Sequence, residues 1–556
     1  MRAAVLRTTV VSLAALALAW TASGSFLACG VPDNFDGLVG GAPPDAGPDG
    51  DAPPIDLRPD TELPPPRPIA PLSLSWIDGT RPRFEWQLAS STTGARVELC
   101  RTRACDGETK SIDAAGTTLA LDEDLAPGLW FWRLVSRTPE SFGTKPGPTW
   151  ALLVRGGPAK KDASSGSLVD LNGDGRSDLL VTVEYDSAPG ASFIELVALL
   201  ANNDDSTSFV TAHGDRPVAG VILDSPDPPI AAIDIDGDGL SDLVFADVYG
   251  TVTPTPVLVT VPGSATARDG LDLDRSSLPN LPPLDSSPNL AALGDLDRDG
   301  WGDVAVTTKR FGVAAYGTAS GLGALNYVIQ VDPFWSADGG APPEQTQPFS
   351  VAGAFDRDAD GFADLALEAP EGDIGLIVFQ GAAPRQLTLR IPKAPDGPAT
   401  KPARAFASGD FDGDGLGDVA FVTTVNGSPA VCLVRGSDSL DAMRPICWTP
   451  ASPSAGFASS VTAGDVDADG RDELVVGSSD AGIDVLALDA AGKVAVSHLD
   501  TAFGARLTTV FPGRPGPAVW AATRADGSAI GVFKGKALAT TLTPAFGAKR
   551  FGATIR

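Results

Sequence analysis

Six aspartate-rich stretches of nine residues recur in this chain and constrain its fold more than any other feature. They read DLNGDGRSD from Asp170, DIDGDGLSD from Asp234, DLDRDGWGD from Asp295, DRDADGFAD from Asp356, DFDGDGLGD from Asp410 and DVDADGRDE from Asp465. Their starts are 64, 61, 61, 54 and 55 residues apart. A period of this length indicates repeats that are each one supersecondary unit. We call the nonamers loops 1 to 6 and number their positions 1 to 9.

The residues around each loop predict strands. An apolar, often β-branched run such as LLVTV or VAVTT follows each loop, and a small-residue run such as NLAALG or SVAGAF precedes most of them. Each loop is therefore predicted to be a hairpin loop. Further strands end at turns such as VAAYGTASGLG, which gives about four strands per repeat and an all-β fold. Four-stranded repeats are typical of β-propeller blades.

The aspartates within one loop repel one another unless a cation lies between them. Side chains at positions 1, 3 and 5 can converge, glycine at position 6 permits a sharp turn, and position 7 can offer its backbone carbonyl. A carboxylate at position 9 closes a shell of hard oxygens, which suits Ca²⁺ better than Mg²⁺. One such loop alone can be an ion-free turn, but six with a shared period favour about six structural calcium ions.

The predicted ligands are the residues at positions 1, 3, 5, 7 and 9, where position 7 contributes through its carbonyl, so that its side chain is free to vary. They are Asp170, Asn172, Asp174, Arg176 and Asp178 in loop 1; Asp234, Asp236, Asp238, Leu240 and Asp242 in loop 2; Asp295, Asp297, Asp299, Trp301 and Asp303 in loop 3; Asp356, Asp358, Asp360, Phe362 and Asp364 in loop 4; Asp410, Asp412, Asp414, Leu416 and Asp418 in loop 5; and Asp465, Asp467, Asp469, Arg471 and Glu473 in loop 6. The neutral Asn172 predicts weaker binding in loop 1.

The N-terminus resembles a bacterial lipoprotein signal peptide, residues 1–29. Two arginines precede the apolar run TVVSLAALALAW, and SFLACG places Cys29 at the lipidation position. The alternative is an ordinary signal peptide cleaved near Ala28. By the lipoprotein sorting rule, Gly30 favours the outer membrane or cell surface.

Residues 30–68 are rich in proline, glycine and aspartate and are predicted to be a disordered tether. Residues 69–155 are predicted to form a β-sandwich, because LAPGLWFWRLVSR resembles a motif of bacterial fibronectin type III domains. In that resemblance Trp130 stands at the usual tyrosine position and Trp86 matches an early core tryptophan. The unit is either a spacer or a binding domain.

Composition excludes several function classes. The net charge of −29 argues against nucleic-acid partners. The two histidines, His213 and His498, leave little for a zinc site or a histidine-dependent triad. Besides Cys29 the cysteines form two local pairs, and export favours disulfides Cys100–Cys105 and Cys432–Cys447 over free thiols.

The six loops, the turn YGTASGL at 316–322 and segments such as GFASSVTAGD and AFGARLTTV resemble FG-GAP repeats, also called VCBS-type repeats, over about 156–556. The resemblance implies a β-propeller of the integrin α-subunit type, with calcium loops on one face and recognition loops often on the other. Six loops imply six blades, and residues from AFGARLTTV onward imply a degenerate seventh without calcium. The terminal AFGAKRFGATIR is predicted to close the ring by pairing near residue 165.

The function expected from these features is binding: a calcium-stabilised, lipid-anchored propeller that recognises a protein or glycan. The alternatives are a purely structural envelope protein and an extracellular enzyme such as a polysaccharide lyase or phospholipase. An enzyme is not expected, because the carboxylates are spread over six loops and no G-x-S-x-G, HExxH or phosphate-loop motif occurs. Tyr249, Phe334 and Trp335 are candidate recognition aromatics, with packing between blades as the alternative.

Overall fold

A computed structural model of the chain describes residues 63–77, 79–155, 164–165, 168–188, 191–211, 222–223, 230–249, 255–265, 288–309, 311–323, 325–330, 349–368, 376–382, 386–390, 399–437, 445–480, 482–489, 492–499, 501–510, 516–544 and 550–555. Every regular element in these ranges is a β-strand, which confirms the all-β prediction there. Within them no helix has the length and apolar character needed to cross a bilayer. The predicted signal peptide, Cys29 and the tether up to residue 62 lie outside the described residues.

Two sheets form what we call the N-terminal unit. The first has the order β1-β3-β6, and the second has the order β10-β2-β9-β7-β4-β5 with β8 beside β7. The strands are β1 Arg67–Ala70, β2 Ser75–Ile77, β3 Arg83–Gln87, β4 Gly94–Cys100, β5 Thr109–Ala115, β6 Thr118–Ala120, β7 Gly128–Arg137, β8 Phe142–Pro146, β9 Trp150–Val154 and β10 Ser164–Ser165. The pairing of β2 with β9 is parallel.

Aromatic side chains fill the space between these two sheets. Trp86 of β3 is buried, as predicted, and Phe84 lies edge-on to Trp132 with ring centroids 4.9 Å apart. Trp132 in turn meets Trp150 at 5.4 Å. The Trp130 indole donates a hydrogen bond of 2.8 Å to the carbonyl of Ala126. The predicted disulfide Cys100–Cys105 is present.

Seven further sheets follow, which we call ring sheets 1 to 7. Their strands, sheet by sheet, are β11 Leu179–Ala188, β12 Ala191–Ala201, β13 Phe209–Thr211, β14 Ile222–Leu223 and β38 Arg550–Ile555; β15 Ile230–Ile233, β16 Asp242–Tyr249 and β17 Thr255–Val261; β18 Asn289–Gly294, β19 Asp303–Thr307, β20 Phe311–Ala315 and β21 Leu325–Gln330; β22 Val351–Phe355, β23 Asp364–Glu368, β24 Leu376–Ala382 and β25 Gln386–Arg390; β26 Ala399–Gly409, β27 Asp418–Val425, β28 Ser428–Val434 and β29 Ile446–Trp448; β30 Ser460–Gly464, β31 Glu473–Ser478, β32 Gly482–Leu488 and β33 Val494–Leu499; and β34 Phe503–Val510, β35 Val519–Arg524, β36 Ile530–Lys534 and β37 Ala537–Leu542.

Each ring sheet shares an apolar core with the next. Buried clusters join sheets 1 and 2, 2 and 3, 3 and 4, 4 and 5, 5 and 6, and 6 and 7. The cluster between sheets 2 and 3 continues into the core of the N-terminal unit, where it includes Trp132 and Trp150. A seventh cluster joins sheet 7 back to sheet 1, with Val519 and Ile530 packed against Val181. Strands such as β19 and β20 are buried at every residue, because neighbouring sheets cover both of their faces. This double coverage explains the continuous apolar runs in the sequence.

The loops lie where the predicted hairpins place them in five sheets. Loops 2 to 6 each connect the first and second strands of ring sheets 2 to 6, and position 9 is the first residue of the second strand. Loop 1 differs, because the strand beside β11 comes from the other end of the chain. The predicted disulfide Cys432–Cys447 joins opposite residues of β28 and β29.

The predicted partner of the C-terminal strand was wrong. Residues 164–165 form β10 and pair with β2 of the N-terminal unit. β38 pairs instead with β11, where Val183 lies opposite Phe551. The sequence pattern correctly indicated that the C-terminal residues form a strand that pairs with another strand. The strand that pairs with it is β11, which follows loop 1.

Closure by β38 predicts a large cost for truncating its buried aromatic side chain. Phe551 lies in the core between sheets 7 and 1 and is 6% exposed. We expect Phe551→Ala to lower the free energy of unfolding by about 3–5 kcal/mol, the usual cost of a buried phenylalanine. Leu538→Ala, at a residue that is 49% exposed on β37, is the control and should change it by less than about 0.5 kcal/mol. Equal losses in urea denaturation would contradict closure of the ring by β38.

Candidate metal centre

The aspartate at position 1 organises each loop. Its Oδ2 accepts the amide of the position 6 glycine at 2.7–3.0 Å in all six loops. Its Oδ1 accepts an amide from position 4 or 5 of the same loop. The position 6 glycines have φ between 78° and 91°, a region that favours glycine. These contacts curl the backbone around the carboxylates.

The carboxylate at position 9 has a structural role that the sequence did not reveal. One of its oxygens accepts the amide of position 2 at 2.7–2.9 Å in every loop. In loops 1 to 5 its other oxygen accepts an amide at or just after the end of a later strand, at 2.6–3.1 Å. Position 9 therefore fastens the loop to its own sheet as well as facing the cluster.

Five of the six loops bring carboxylates together. In each cluster, three ligand atoms lie within 4.8 Å of one another. The clusters are Asp234, Asp236 and Asp242; Asp295, Asp297 and Asp299; Asp356, Asp358 and Asp360; Asp410, Asp412 and Asp418; and Asp465, Asp467 and Glu473. Among the described residues loop 1 forms no such acidic group, because position 3 is Asn172 and Arg176 pairs with Asp174 at 3.2 Å.

Burial and crowding raise the pKa values of these carboxyl groups. In loop 2, burial and then Asp236 raise the pKa of Asp242 to about 8, and burial raises the pKa of Asp238 to about 6. Burial raises the pKa of Asp295 to about 8 and that of Asp356 to about 7. Burial also raises the pKa of Glu473 in loop 6 to about 8. Without a cation, the ionised loops are therefore under electrostatic strain.

The donor set fits calcium. All side-chain ligands are oxygens, which Ca²⁺ prefers and can accept in flexible geometry. In loop 4 the buried Asp358 Oδ1 has no hydrogen-bond partner in the described part of the chain, although it belongs to a cluster. An ion held by positions 1, 3, 5 and 9 would cross-link the loop, which is a structural role.

The side chains at position 7 differ from loop to loop, as the sequence shows, but several of them are packed. Leu240 and Leu416 are buried, and Trp301 lies beneath the guanidinium of Arg67 at 4.2 Å. A Cβ at Gly237 of loop 2 would stand 3.1 Å from Trp301 of loop 3. Position 7 of loop 3 thus packs against loop 2, and ligation by the position 7 carbonyl stays a prediction in every loop.

A hydrogen-bond ladder connects consecutive loops and was also missed. The amide at position 8 of each loop donates to the carbonyl at position 1 of the preceding loop, at 2.8–2.9 Å in all five junctions. The amide of Ala518 extends the series by donating to the carbonyl of Asp465 at 2.6 Å, so sheet 7 continues the ladder without an acidic loop. The only signal of this ladder in the sequence is the constant spacing between each loop and the strand that follows it.

Loop 4 contains a buried cation of its own. Position 2 is Arg357, 3% exposed, where the other loops have apolar residues. Its guanidinium donates to Asp358 Oδ2 at 2.7 Å and to the carbonyl of Ser437. Gln380 also donates to Asp358 Oδ2, at 2.8 Å. These contacts reduce the negative potential that a calcium ion would meet.

Loops 5 and 6 match a known repeat family. Residues 410–476 match the FG-GAP-like repeat and residues 457–497 match the FG-GAP repeat. Residues 410–497 are FG-GAP repeats. Loops 1 to 4 carry the same nonamer pattern outside the matched residues. No curated protein matches the chain in sequence.

Solved structures share only a distant likeness. The Pseudomonas aeruginosa periplasmic gluconolactonase PpgL is 15% identical and matches 67% of this chain and 98% of that chain, with a TM-score of 0.41. The Bacillus licheniformis rhamnogalacturonan lyase PL11 is 14% identical and matches 88% and 71%, with a TM-score of 0.28. A Mycobacterium tuberculosis puromycin-hydrolysing peptidase is 14% identical and matches 72% and 56%, with a TM-score of 0.29. Likenesses at these TM-scores carry no argument about function.

The candidate recognition aromatics fall outside the described part of the chain. Phe334 and Trp335 lie between described segments, and only the backbone of Tyr249, at the end of β16, is described. Their predicted role stays a prediction.

The raised pKa values predict opposite effects of pH with and without calcium. Carboxyl groups whose pKa rises on folding stabilise the protein at low pH, and this stabilisation is lost as pH rises from about 4 to 8. In chelator we expect the melting temperature to fall as pH rises through this window. Stabilisation by added Ca²⁺ should instead grow with pH, since protonated carboxyls bind the ion poorly.

The melting temperature should be measured against pH at high salt, both in chelator and with added Ca²⁺. High salt screens the charges on the surface but not those of the buried clusters. A melting temperature in chelator that is flat, or that rises from pH 5 to 8, would contradict this interpretation.

The buried Arg357 predicts that its removal raises the calcium affinity of loop 4. Arg357→Leu introduces the kind of apolar residue that the other loops have at position 2, and we expect the calcium affinity of loop 4 to rise about tenfold, which corresponds to about 1.4 kcal/mol. Arg435→Leu is the matched control, because Arg435 pairs with Asp412 at 3.1 Å but is 42% exposed, so solvent screens it. Titration calorimetry that shows equal changes, or weaker binding by Arg357→Leu, would refute the assignment.

Proposed function

We propose that the chain is an exported, calcium-binding seven-bladed β-propeller with a fibronectin type III-like N-terminal domain. In this proposal the protein is anchored to the outer membrane or cell surface by a lipid on Cys29 and recognises a protein or glycan. The observation that carries it is the ring of seven sheets with acidic clusters at the loops of five of them. The FG-GAP repeats at 410–497 and the two disulfides support an extracellular location.

A structural role for calcium follows from where the ligands lie. The loop carboxylates accept amides of their own loop, and the backbone carbonyl of position 1 accepts an amide of the next loop in the ring. An ion at each cluster would therefore stabilise the contacts between sheets and present the remaining surface as a rigid scaffold. Rigid scaffolds favour recognition, because binding then costs little ordering of the protein.

The alternative, an extracellular enzyme, has one observation in its favour. A cavity of about 460 Å³ lies between the N-terminal unit and loops 3 and 4, and its acidic lining consists of Asp295, Asp356, Asp358 and Asp360. All four are predicted calcium ligands, so ions in the two loops would occupy the groups that catalysis needs. Polysaccharide turnover by the calcium-loaded protein that is lost on Asp358→Asn substitution would favour the enzyme.

The calcium proposal predicts a defined stoichiometry. We expect the mature protein to bind about five Ca²⁺ ions at loops 2 to 6, with loop 1 filling last. Each ion at 100 times its dissociation constant should stabilise folding by about 2.7 kcal/mol. Asp412→Asn should remove one ion, whereas Asp526→Asn, in an exposed turn outside the loops, should remove none. Calorimetric stoichiometry near zero, or melting that is unaffected by chelator, would overturn the proposal.

The recognition role is tested separately. Arrays of surface glycans and envelope proteins probed with the calcium-loaded protein should show a ligand whose binding is lost in chelator and weakened by Asp412→Asn. Binding that is indifferent to chelator would leave the calcium sites unrelated to recognition.

A further inference from the structure

The N-terminal unit contacts the backbone of loop 2 through three consecutive carbonyls. The Trp150 indole donates to the Gly237 carbonyl at 2.9 Å. The guanidinium of Arg103 donates to the carbonyls of Asp238 at 3.2 Å and Gly239 at 3.0 Å. These carbonyls belong to positions 4, 5 and 6, on the same curl that carries the loop carboxylates.

Close packing extends the contact to loops 1 and 3. A Cβ at Gly175 of loop 1 would stand 2.2 Å from the Leu129 side chain. A Cβ at Gly239 would stand 2.3 Å from the carbonyl of Thr149, and one at Gly300 would stand 2.6 Å from the carbonyl of Pro68. The position 6 glycines of loops 1 to 3 therefore lie directly against the N-terminal unit, as well as permitting the turn.

Charged groups complete the contact at loop 3. Arg298 at position 4 pairs with Glu85 of β3 at 2.8 Å. Arg67 of β1 donates to the carbonyl of Asp299 and covers Trp301. The N-terminal unit thus contacts loop 3 through both charge and an aromatic face.

A bidentate ion pair ties the end of the N-terminal unit to loop 6. Arg155 holds both carboxylate oxygens of Asp472, at 2.7 and 3.0 Å, and Asp472 also accepts the amide of Asp410 at 2.8 Å. The side chains of Arg155 and Asp472 are 11% and 1% exposed, so the pair is shielded from solvent.

We propose that loops 1 to 3 form a docking surface for the N-terminal unit and that cation bound in loops 2 and 3 strengthens docking there. Cation binding and docking are then coupled, and calcium adds to the hold of the shared apolar core and of the Arg155–Asp472 pair. This inference rests on the calcium binding proposed above.

The physical reason lies in loop 2. In the described part of the chain no basic side chain forms an ion pair with its four carboxylates, those of Asp234, Asp236, Asp238 and Asp242. A divalent cation would offset their repulsion and reinforce the amide hydrogen bonds that hold the curl. If the curl opens, the buried Trp150 indole loses its acceptor, and a buried donor without a partner disfavours the docked state.

Linkage makes the effect reciprocal. If cation in loops 2 and 3 strengthens docking by some factor, docking must tighten cation binding there by the same factor. Loop 5 lacks these side-chain contacts to the N-terminal unit among the described residues and should not share the effect. The docked face of loops 1 to 3 is also closed to an external partner, so recognition falls to other surfaces.

The first test measures affinity in the full-length mature protein. Trp150→Phe removes a donor to loop 2 without changing any charge and should weaken calcium binding at one site by about threefold, as expected when one hydrogen bond is lost. Trp520→Phe is the matched control, since the equally buried Trp520 indole donates to the carbonyl of Gly535 in sheet 7, away from the docking surface. Equal calcium isotherms for the two variants would overturn the coupling.

The second test measures docking through the Trp150 indole proton. In protein labelled with 15N-tryptophan, Asp236→Asn should speed exchange of this proton at least about tenfold, while Asp412→Asn, the same change in loop 5, should leave it within about twofold. The indoles of Trp86 and Trp520, bonded to the carbonyls of Gly116 and Gly535 away from the docking surface, should stay protected in both variants.

The outcomes separate the two proposals. If wild-type protein binds no calcium, both fail. If calcium binds but the indole proton of Trp150 behaves alike in Asp236→Asn and Asp412→Asn, calcium binding stands and the docking inference is wrong.

Discussion

The buried aspartate at position 1 of each loop is the group on which the ring depends. Its two carboxylate oxygens hold amides of its own loop, and its carbonyl accepts the position 8 amide of the next loop. The same residue therefore shapes a candidate metal site and joins two sheets. Because these contacts run in one direction around the ring, a disturbance of one curl reaches the neighbouring sheet directly through this hydrogen bond.

Buried apolar side chains fill the space between neighbouring ring sheets, whereas hydrogen bonds between the loops align the sheets. The cores between sheets consist mostly of Val, Leu, Ala and Ile, and such side chains tolerate small shifts between sheets. Hydrogen bonds at 2.8–2.9 Å between loops tolerate much less. Sheet 7 shows that the ladder continues where an acidic loop is missing, so metal is not required for every junction.

The six loops share a pattern but differ in charge. Arg176 and Arg471 each pair with a carboxylate of their own loop from a partly exposed position, and Arg357 does so from a buried one. Arg435, which follows β28, pairs with Asp412 of loop 5. Loop 2 accepts hydrogen bonds from the guanidinium of Arg103 at two backbone carbonyls. A chain with one repeated motif can thus hold sites of graded affinity, because the residues between the ligands are not repeated.

Much of this architecture was predictable, because it depends on short-range contacts. The sequence by itself determined the strands, the curled loops and the clustering of carboxylates, since most contacts that shape a loop of nine residues lie within that loop. Only the tertiary structure decided that β38 pairs with β11, that position 9 holds a later strand, that Arg357 faces Asp358 and that the N-terminal unit covers loops 1 to 3. Those contacts join segments far apart in the chain. The local periodicity of a sequence does not indicate which distant strand edge, carbonyl or carboxylate a residue will contact.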